Sequence, residues 1–428
     1  MREDLLHFLW RYQKFDEAPL QTTTAEMVYV LDKGQPNSGS GPNFLMAQIQ
    51  IGSIRFAGAV ELHLSASHWY QHGHHKDPAY DNVILHVVWE DDLSIRLPSG
   101  QCIPTLELRH STDKELLATY QKNFIKTHQN PPCSPFVKSL PTPLWKHWRE
   151  RLYLERLEER IQAIDIRLEE LNNDWEALLF ERMARGFGLN RNGESFEKMA
   201  QSFSFSVLRK QAGTATQLEA LFYGQLNMLP KTTTHPYTSS LVDHYAYLKH
   251  KYQLEPLVGI QPTFGRLRPS NFPTIRLAQL AQLYHQTPAL LAGALNAKKL
   301  LGLRLFKQVS VTDYWQSHYH FEGQKSKTQG RRRTLTPSFQ SLLILNALLP
   351  VLYAYSKWEG KDRSEWLFEQ LETLPLEENQ CINHYESIGF HAESALDSQA
   401  ILQLQSNYCE KKKCLKCALG FHILKQTQ

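Results

Sequence analysis

The spacing of apolar residues changes character once along the chain. Up to about residue 125 it alternates or runs in short unbroken stretches, the habit of strands. Beyond residue 144 it recurs every three or four positions, the habit of helices. In AVELHL (59–64), Val60, Leu62 and Leu64 share one face of a strand and Glu61 and His63 the other. NVILHVVWE (82–90) is apolar almost throughout, which predicts a central strand covered on both sides. Further strands are predicted over 26–31, 44–51 and 54–64, with a hairpin turning at 98–100 and returning over 103–108. Leu5, Leu6, Leu9, Trp10 and Tyr12 predict an amphipathic helix over 3–15, and a second helix is expected over 113–124.

The helical part opens with its most regular signal. Leu157, Ile161, Ile164, Leu168, Leu171, Trp175 and Leu178 are spaced alternately by four and three. That is a seam on one long helix, or on a helical hairpin bending at Asn172–Asn173. Further helices are predicted over 196–208, 217–228, 241–251, 274–285, 337–355 and 364–374. The segment 266–273, with Pro269 and Pro273, is a loop. The reading is therefore an α/β domain over 1–125, a mixed sheet with flanking helices; a Pro-rich linker over 126–143; and a larger all-α domain over 144–428.

Composition narrows the class. No apolar run reaches the roughly 18 residues of a membrane span; the longest, near residues 341–355, is interrupted by Asn346 and Pro350 and reads as a core helix. The opening helix is not a signal peptide, and six cysteines in 428 residues are no disulfide scaffold. A cytoplasmic protein with no membrane partner is expected. Net charge is +4, but residues 1–140 hold 12 Lys/Arg against 15 Asp/Glu and the remainder 35 against 28. The excess of positive charge in the second part, at Lys325, Lys327 and Arg331–Arg333 and again at Lys411–Lys416, makes nucleic acid a candidate partner.

The stretch SGPNF (40–44), AGAVELH (57–63) and HWYQHGHHKDPAYDNVILHVVWE (68–90) resembles a bacterial family known as domain of unknown function 2851. The likeness continues in RLRPSNFPTIRLAQLA, NALLPVLYAY and YCEKKKCLKCALG. A weaker resemblance is to the PD-(D/E)XK nucleases. Their acidic turn is matched by Gly41-Pro42-Asn43 and their Glu-x-Lys by Glu61-Leu62-His63. This resemblance implies a restriction-endonuclease-like core and a metal-dependent phosphodiesterase acting on nucleic acid. In that reading Glu61 is a carboxylate for Mg²⁺ or Mn²⁺, His63 stands in for the lysine, and Asn43 offers an uncharged oxygen. Glu26 or Asp32 would supply a further carboxylate. The nuclease pattern is altered at two catalytic positions, so a degenerate protein that only binds is the companion reading. A non-catalytic, partner-binding scaffold is the alternative.

Two clusters point to other metals. His63, His68, His72, His74, His75 and His86 fall within 24 residues. His72 and His74 with Asp77 suit Zn²⁺, which takes imidazole and carboxylate, as in a zinc hydrolase. His86, inside an apolar strand, reads as a hydrogen-bonded core residue. Near the C-terminus, Cys409, Cys414 and Cys417 suggest zinc or an iron–sulfur cluster, with Cys381 or His384 as fourth ligand. For nucleic acid, Arg266, Arg268, Arg276, Arg331, Arg332 and Arg333 are candidate phosphate contacts, and Tyr314, Trp315, His318, Tyr319 and Phe321 candidate stacking surfaces, with core packing the commoner role for such a run.

Overall fold

The computed structural model describes residues 3–15, 20–37, 39–97, 100–121, 130–295, 297–300, 306, 309–323 and 332–425. Lys325, Lys327 and Arg331 lie outside the described residues. The chain divides into two compact units. The first comprises Met1–Trp145, Ile388–Phe390 and Leu404–Gln428; the second comprises Lys146–Ser387 and His391–Gln403.

The first unit is built on a seven-stranded mixed sheet. Its strands are β1 (Leu20–Gln21), β2 (Met27–Asp32), β3 (Gln35–Pro36), β4 (Phe44–Ile51), β5 (Ile54–Ser65), β6 (Val83–Glu90) and β7 (Thr105–Glu107). They lie in the order β1-β2-β4-β5-β6-β7, with the short β3 also paired to β4. β2, β4 and β5 form an antiparallel meander. β6 then runs parallel to β5, and β7 parallel to β6. The return over 103–108 is thus not the partner arm of a hairpin on β6. The turn within 95–103 is a local excursion, closed by Ile103 N–H donating to the Ile95 carbonyl, after which the chain resumes the direction of β6.

A parallel pair cannot be joined by a tight turn, so the chain must travel back along the sheet between β5 and β6. Residues 66–82 make that crossing. They contain helix α2 (His68–Gln71) and the 3₁₀ turns His74–Lys76 and Pro78–Tyr80. The crossing is fastened by Trp69 and Tyr80, which pack in one cluster with Ala59, Val83 and Val88. It therefore covers the face of β5 that carries Glu61 and His63. Helix α1 (Glu3–Tyr12) also packs against β5, with Leu5, Leu6, Phe8, Leu9 and Trp10 buried. Its first turn is acidic, Glu3 and Asp4, which suits the positive end of the helix dipole. Helix α3 (Lys114–Tyr120) is capped by Asp113, whose carboxylate accepts from Glu115 N–H. In its described part the proline-rich stretch forms a 3₁₀ helix, Ser134–Ser139, and belongs to this first unit.

The second unit is helical. Helix α4 (Thr142–Glu170) and helix α5 (Trp175–Gln201) form a hairpin whose turn is Asn172 and Asn173, both in the left-handed region, followed by the N-cap Asp174. The three-and-four seam is its buried interface: Leu157, Ile161, Ile164, Leu168 and Leu178 join one core. Arg167 clamps the turn by donating from Nε and Nη2 to both oxygens of Glu181, at 2.8 and 2.7 Å. The apolar run near residues 341–355 is one helix, Pro337–Trp358, containing a π turn at Ile344–Leu348 just before Pro350. The wider turn accommodates the proline's missing N–H. Among the described residues this is the one helix long and apolar enough to cross a membrane, and 72% of its most apolar window is buried inside the protein.

Candidate metal centre

Glu61 and His63 stand two apart on β5, and in the parallel register Glu61 lies beside His86 and His63 beside Val88. Glu61, His63 and His86 therefore share one face. The covering crossing adds two further imidazoles. Gly73, at φ +78°, turns the chain between α2 and the His74–Lys76 turn, so His72 and His74 both face back toward β5. Trp69 fixes the turn from below: its ring packs edge-on against His74, Tyr80 and His86 at 5.5–5.7 Å between centroids. Tyr80 stacks flat on His74 at 3.8 Å.

Four donor atoms result. His63 Nε2 is 3.0 Å from His72 Nδ1 and 3.6 Å from Glu61 Oε1, and His74 Nε2 is 3.5 Å from Glu61 Oε1. The three imidazole donors all lie within 4.8 Å of one another. Around a tetrahedral zinc with bonds of about 2.0–2.1 Å, neighbouring ligands sit about 3.3–3.4 Å apart. The three contacts that join His63 to His72 and Glu61 to His63 and His74 bracket that value. Glu61 and His63 are buried, His74 is half-buried and His72 is exposed, so the centre is closed on the sheet side and open at His72.

The groups around the centre hold the donors in place. Asn43 N–H donates to Glu61 Oε2 at 2.8 Å, while Asn43 Oδ1 accepts from Leu62 N–H at 2.8 Å. Asn43 is thus a brace between β4 and β5 that leaves Oε1 of Glu61 facing the histidines. His63 Nδ1 shares a hydrogen bond of 2.9 Å with His86 Nε2. For His63 Nε2 to offer a lone pair, Nδ1 must carry the proton and donate to His86. The proton of His86 then sits on Nδ1, which is buried with no hydrogen-bond partner. The opposite tautomer chain points the His63 Nε2–H at His72 Nδ1 and blocks the centre. His86 therefore selects between a ligating and a non-ligating His63.

Charge follows the same logic. Burial pushes Glu61 up to about 8, against the pull of the Asn43 N–H, with the nearby Glu3 adding to the rise. Burial, then the neighbouring His86, His72, His74 and His68, push His63 down to about 2. Burial and His72 lower His74, and burial takes His86 down to about 3. The short Glu61–His63 and Glu61–His74 contacts are therefore not ion pairs. Burial thus favours the neutral form of His63 and His74, which is the form that binds metal. Glu3 faces the same region: its bond with His7 holds it below its ordinary value, and His72 and His68 pull the same way. Glu3 carried no sequence signal beyond its place in an acidic first helical turn.

The other expected site residues are elsewhere. Glu26 accepts from Thr24 at the turn joining β1 and β2, and Asp32 accepts from Gly34 N–H in the next turn. Asp77 caps the Pro78–Tyr80 turn through Ala79 N–H. None of the three joins the donor cluster. His68 lies at its edge, its ring 5.8 Å from that of His72. Cys409, Cys414 and Cys417 lie in the first unit, where Cys133 joins them in lining one cavity; Cys381 sits on the helix Gln380–Ser387, outside that lining. Arg266, Arg268 and Arg332 are exposed. Arg276 is instead buried: it donates to Gln279 and Asn271, its guanidinium 3.5 Å from the centroid of Phe339. Arg333 donates to the carbonyls of Trp315 and His318 and lies over Tyr319. Both cations are thus spent on internal contacts. Tyr314 and Trp315 are core residues, with Tyr314 stacked on His318 and Tyr237.

No curated protein and no solved structure matches the chain. The sequence model of one family matches residues 3–380, a span that includes the whole donor cluster and Cys133 and ends before Cys409. By that match over most of its length, the chain belongs to the family described as Protein of unknown function (DUF2851).

Proposed function

We propose that this protein is a metal-dependent hydrolase acting on phosphodiesters, with one metal ion held by Glu61, His63, His72 and His74. The observation that carries the reading is the convergence of three imidazole nitrogens, all within 4.8 Å of one another, with Glu61 Oε1 standing 3.6 and 3.5 Å from His63 Nε2 and His74 Nε2. Three nitrogens and one carboxylate oxygen suit Zn²⁺ or Mn²⁺ better than Mg²⁺, which demands hard oxygen ligands. Such an ion, when bound, makes a hydroxide available near neutral pH and polarises a phosphoryl oxygen. Glu61, braced by Asn43, sets the geometry from the sheet side. His86 holds His63 in the ligating tautomer. The exposed side at His72 admits the substrate, and the exposed Lys76, in the same turn as His74, offers a cation to a phosphate.

The choice of phosphodiester rests on the order of the parts. A Gly-Pro turn leads into β4, the carboxylate and its companion side chain lie on the antiparallel neighbour β5, and a parallel strand follows. This resembles the nuclease core in arrangement, with imidazoles where that core uses lysine and a second carboxylate. The test is hydrolysis of bis(p-nitrophenyl) phosphate and of single- and double-stranded DNA and RNA by protein loaded with Zn²⁺ or Mn²⁺. Wild type is expected to cleave, and Glu61→Gln and His74→Ala to lose the activity with the fold intact. Cleavage of carboxylic esters alone would replace phosphodiester by another hydrolase substrate. Nucleic-acid binding without cleavage in all three proteins would favour the binding-only reading.

A further inference from the structure

A second set of donors lies in the first unit, separate from the histidine centre. Cys133, Cys409, Cys414 and Cys417 line one cavity of about 20 Å³, together with Pro131, Pro132, Leu404, Tyr408 and Gly420. The four sulfur residues come from two stretches far apart in the chain. Cys133 follows two prolines, in a turn where Ser134 N–H donates to the Pro131 carbonyl. The other three come from the C-terminal segment. There Lys412, in the left-handed region at φ +53°, reverses the chain, with Lys412 N–H donating to the Cys409 carbonyl and Lys413 N–H to the Tyr408 carbonyl. Cys414 begins a 3₁₀ turn that Cys417 closes, its N–H donating to the Cys414 carbonyl at 3.2 Å. The helix Ala418–Lys425 then leaves so close to this turn that a Cβ on Gly420 would sit 2.1 Å from the Cys414 carbonyl oxygen. Only glycine lets the helix back onto the cysteine turn.

We propose that Cys133, Cys409, Cys414 and Cys417 bind a metal as four thiolates, in a closed structural centre that ties the proline-rich stretch to the C-terminal segment. Four sulfur ligands with no open position are the signature of a structural rather than a catalytic site. The cavity is walled by prolines, leucine and tyrosine, and Cys133 and Cys417 are buried. A tetrathiolate centre, whether one zinc ion or an iron–sulfur cluster, carries net negative charge. Lys411, Lys412, Lys413 and Lys416 surround it in sequence and are exposed, which suits that charge.

The test uses the full chain carrying His74→Ala, so that the histidine centre does not contribute, purified without oxygen. Metal and acid-labile sulfide are counted per chain. Zinc without sulfide identifies a single ion, and iron with sulfide identifies a cluster; both support the centre. Cys133→Ser is expected to lose the metal as completely as Cys414→Ser, whereas Cys102→Ser and Cys381→Ser keep it. Should Cys133→Ser fail to fold, alkylation of the unaltered chain decides. Cys102 and Cys381 are then modified first, and the other four only after a chelator or oxidant removes the metal. No metal in the anaerobic protein, or metal retained in a folded Cys133→Ser, would overturn the proposal.

Discussion

Glu61→Gln separates the metal centre from the fold. The substitution keeps the shape of the side chain, and its amide oxygen still accepts from Asn43 N–H as Oε2 does at 2.8 Å. The –NH₂ then points at His63 and His74 where Oε1 stood 3.6 and 3.5 Å away. An amide nitrogen donates and does not ligate, so the donor set loses its anion while the brace between β4 and β5 survives. At ion concentrations of 100 Kd, binding to the native state stabilises wild type by about 2.7 kcal/mol. For a unit of this size that is about 5–11 °C in Tm, at roughly 2–4 °C per kcal/mol. Loss of a supporting contact at a metal site costs tenfold to a hundredfold in affinity, and loss of a direct ligand no less. A hundredfold loss leaves about 0.4 kcal/mol at the same concentration, or about 1–2 °C. The assay is thermal unfolding of both proteins, stripped and then titrated with Zn²⁺ or Mn²⁺. Equal metal-induced shifts in wild type and Glu61→Gln would refute the assignment, because any stabilisation would then come from ions bound elsewhere.

Three further outcomes follow from the geometry. His86→Leu removes the ring nitrogen that is buried without a partner but leaves His63 Nδ1 without its own, and should cost about 1–3 kcal/mol. It should also weaken metal binding tenfold to a hundredfold by releasing His63; calorimetric titration showing unchanged affinity would contradict the tautomer argument. Asn43→Ala leaves Leu62 N–H without its acceptor and should cost about 1–3 kcal/mol in urea unfolding; Asn43→Asp keeps an acceptor and should recover most of it, and equal losses in the two would dismiss the brace. Glu219, fully buried on the helix Ala215–Gln225, accepts from Tyr237 and Thr312 and is pushed up from 4.5 to about 8 by burial. Because the folded state holds a proton that the unfolded chain releases, the contribution of Glu219 to stability falls as pH rises from about 4.5 to about 8 and then levels. Glu219→Gln should remove that contribution, a gain over wild type at pH 9 of up to about 5 kcal/mol, and parallel pH–stability curves would contradict it.

The parts of this account that were legible in the sequence are those with a local period. The seam from Leu157 to Leu178 announced the α4–α5 hairpin, and the Asn172–Asn173 bend was marked by residues that tolerate the left-handed region. The apolar run of β6 and the alternation around Glu61 marked the neighbouring strands. What the sequence concealed depended on direction and distance. Nothing local says that β7 runs parallel to β6, because a strand reads the same either way. Whether β5 and β6 were parallel decided everything at the site. It forced residues 66–82 across the face of β5 and so merged two candidates, Glu61 with His63 and His72 with His74, into one cluster. Cys133 stood alone among prolines, and only the chain's return at Leu404–Gln428 gave it neighbours. Arg276 and Arg333 were indistinguishable from surface cations until their partners, Gln279 and Asn271 in one case and two carbonyls in the other, were seen.

The most direct measurement is anomalous diffraction from crystals of the protein soaked or grown with Zn²⁺, collected on both sides of the zinc edge. An anomalous peak is expected bounded by Glu61 Oε1, His63 Nε2, His72 Nδ1 and His74 Nε2, about 2.0–2.2 Å from each donor, with a water on the side open at His72. Crystals of Glu61→Gln under the same conditions should show that peak weakened or gone. Zinc found elsewhere, with the four donors unchanged, would contradict the central claim.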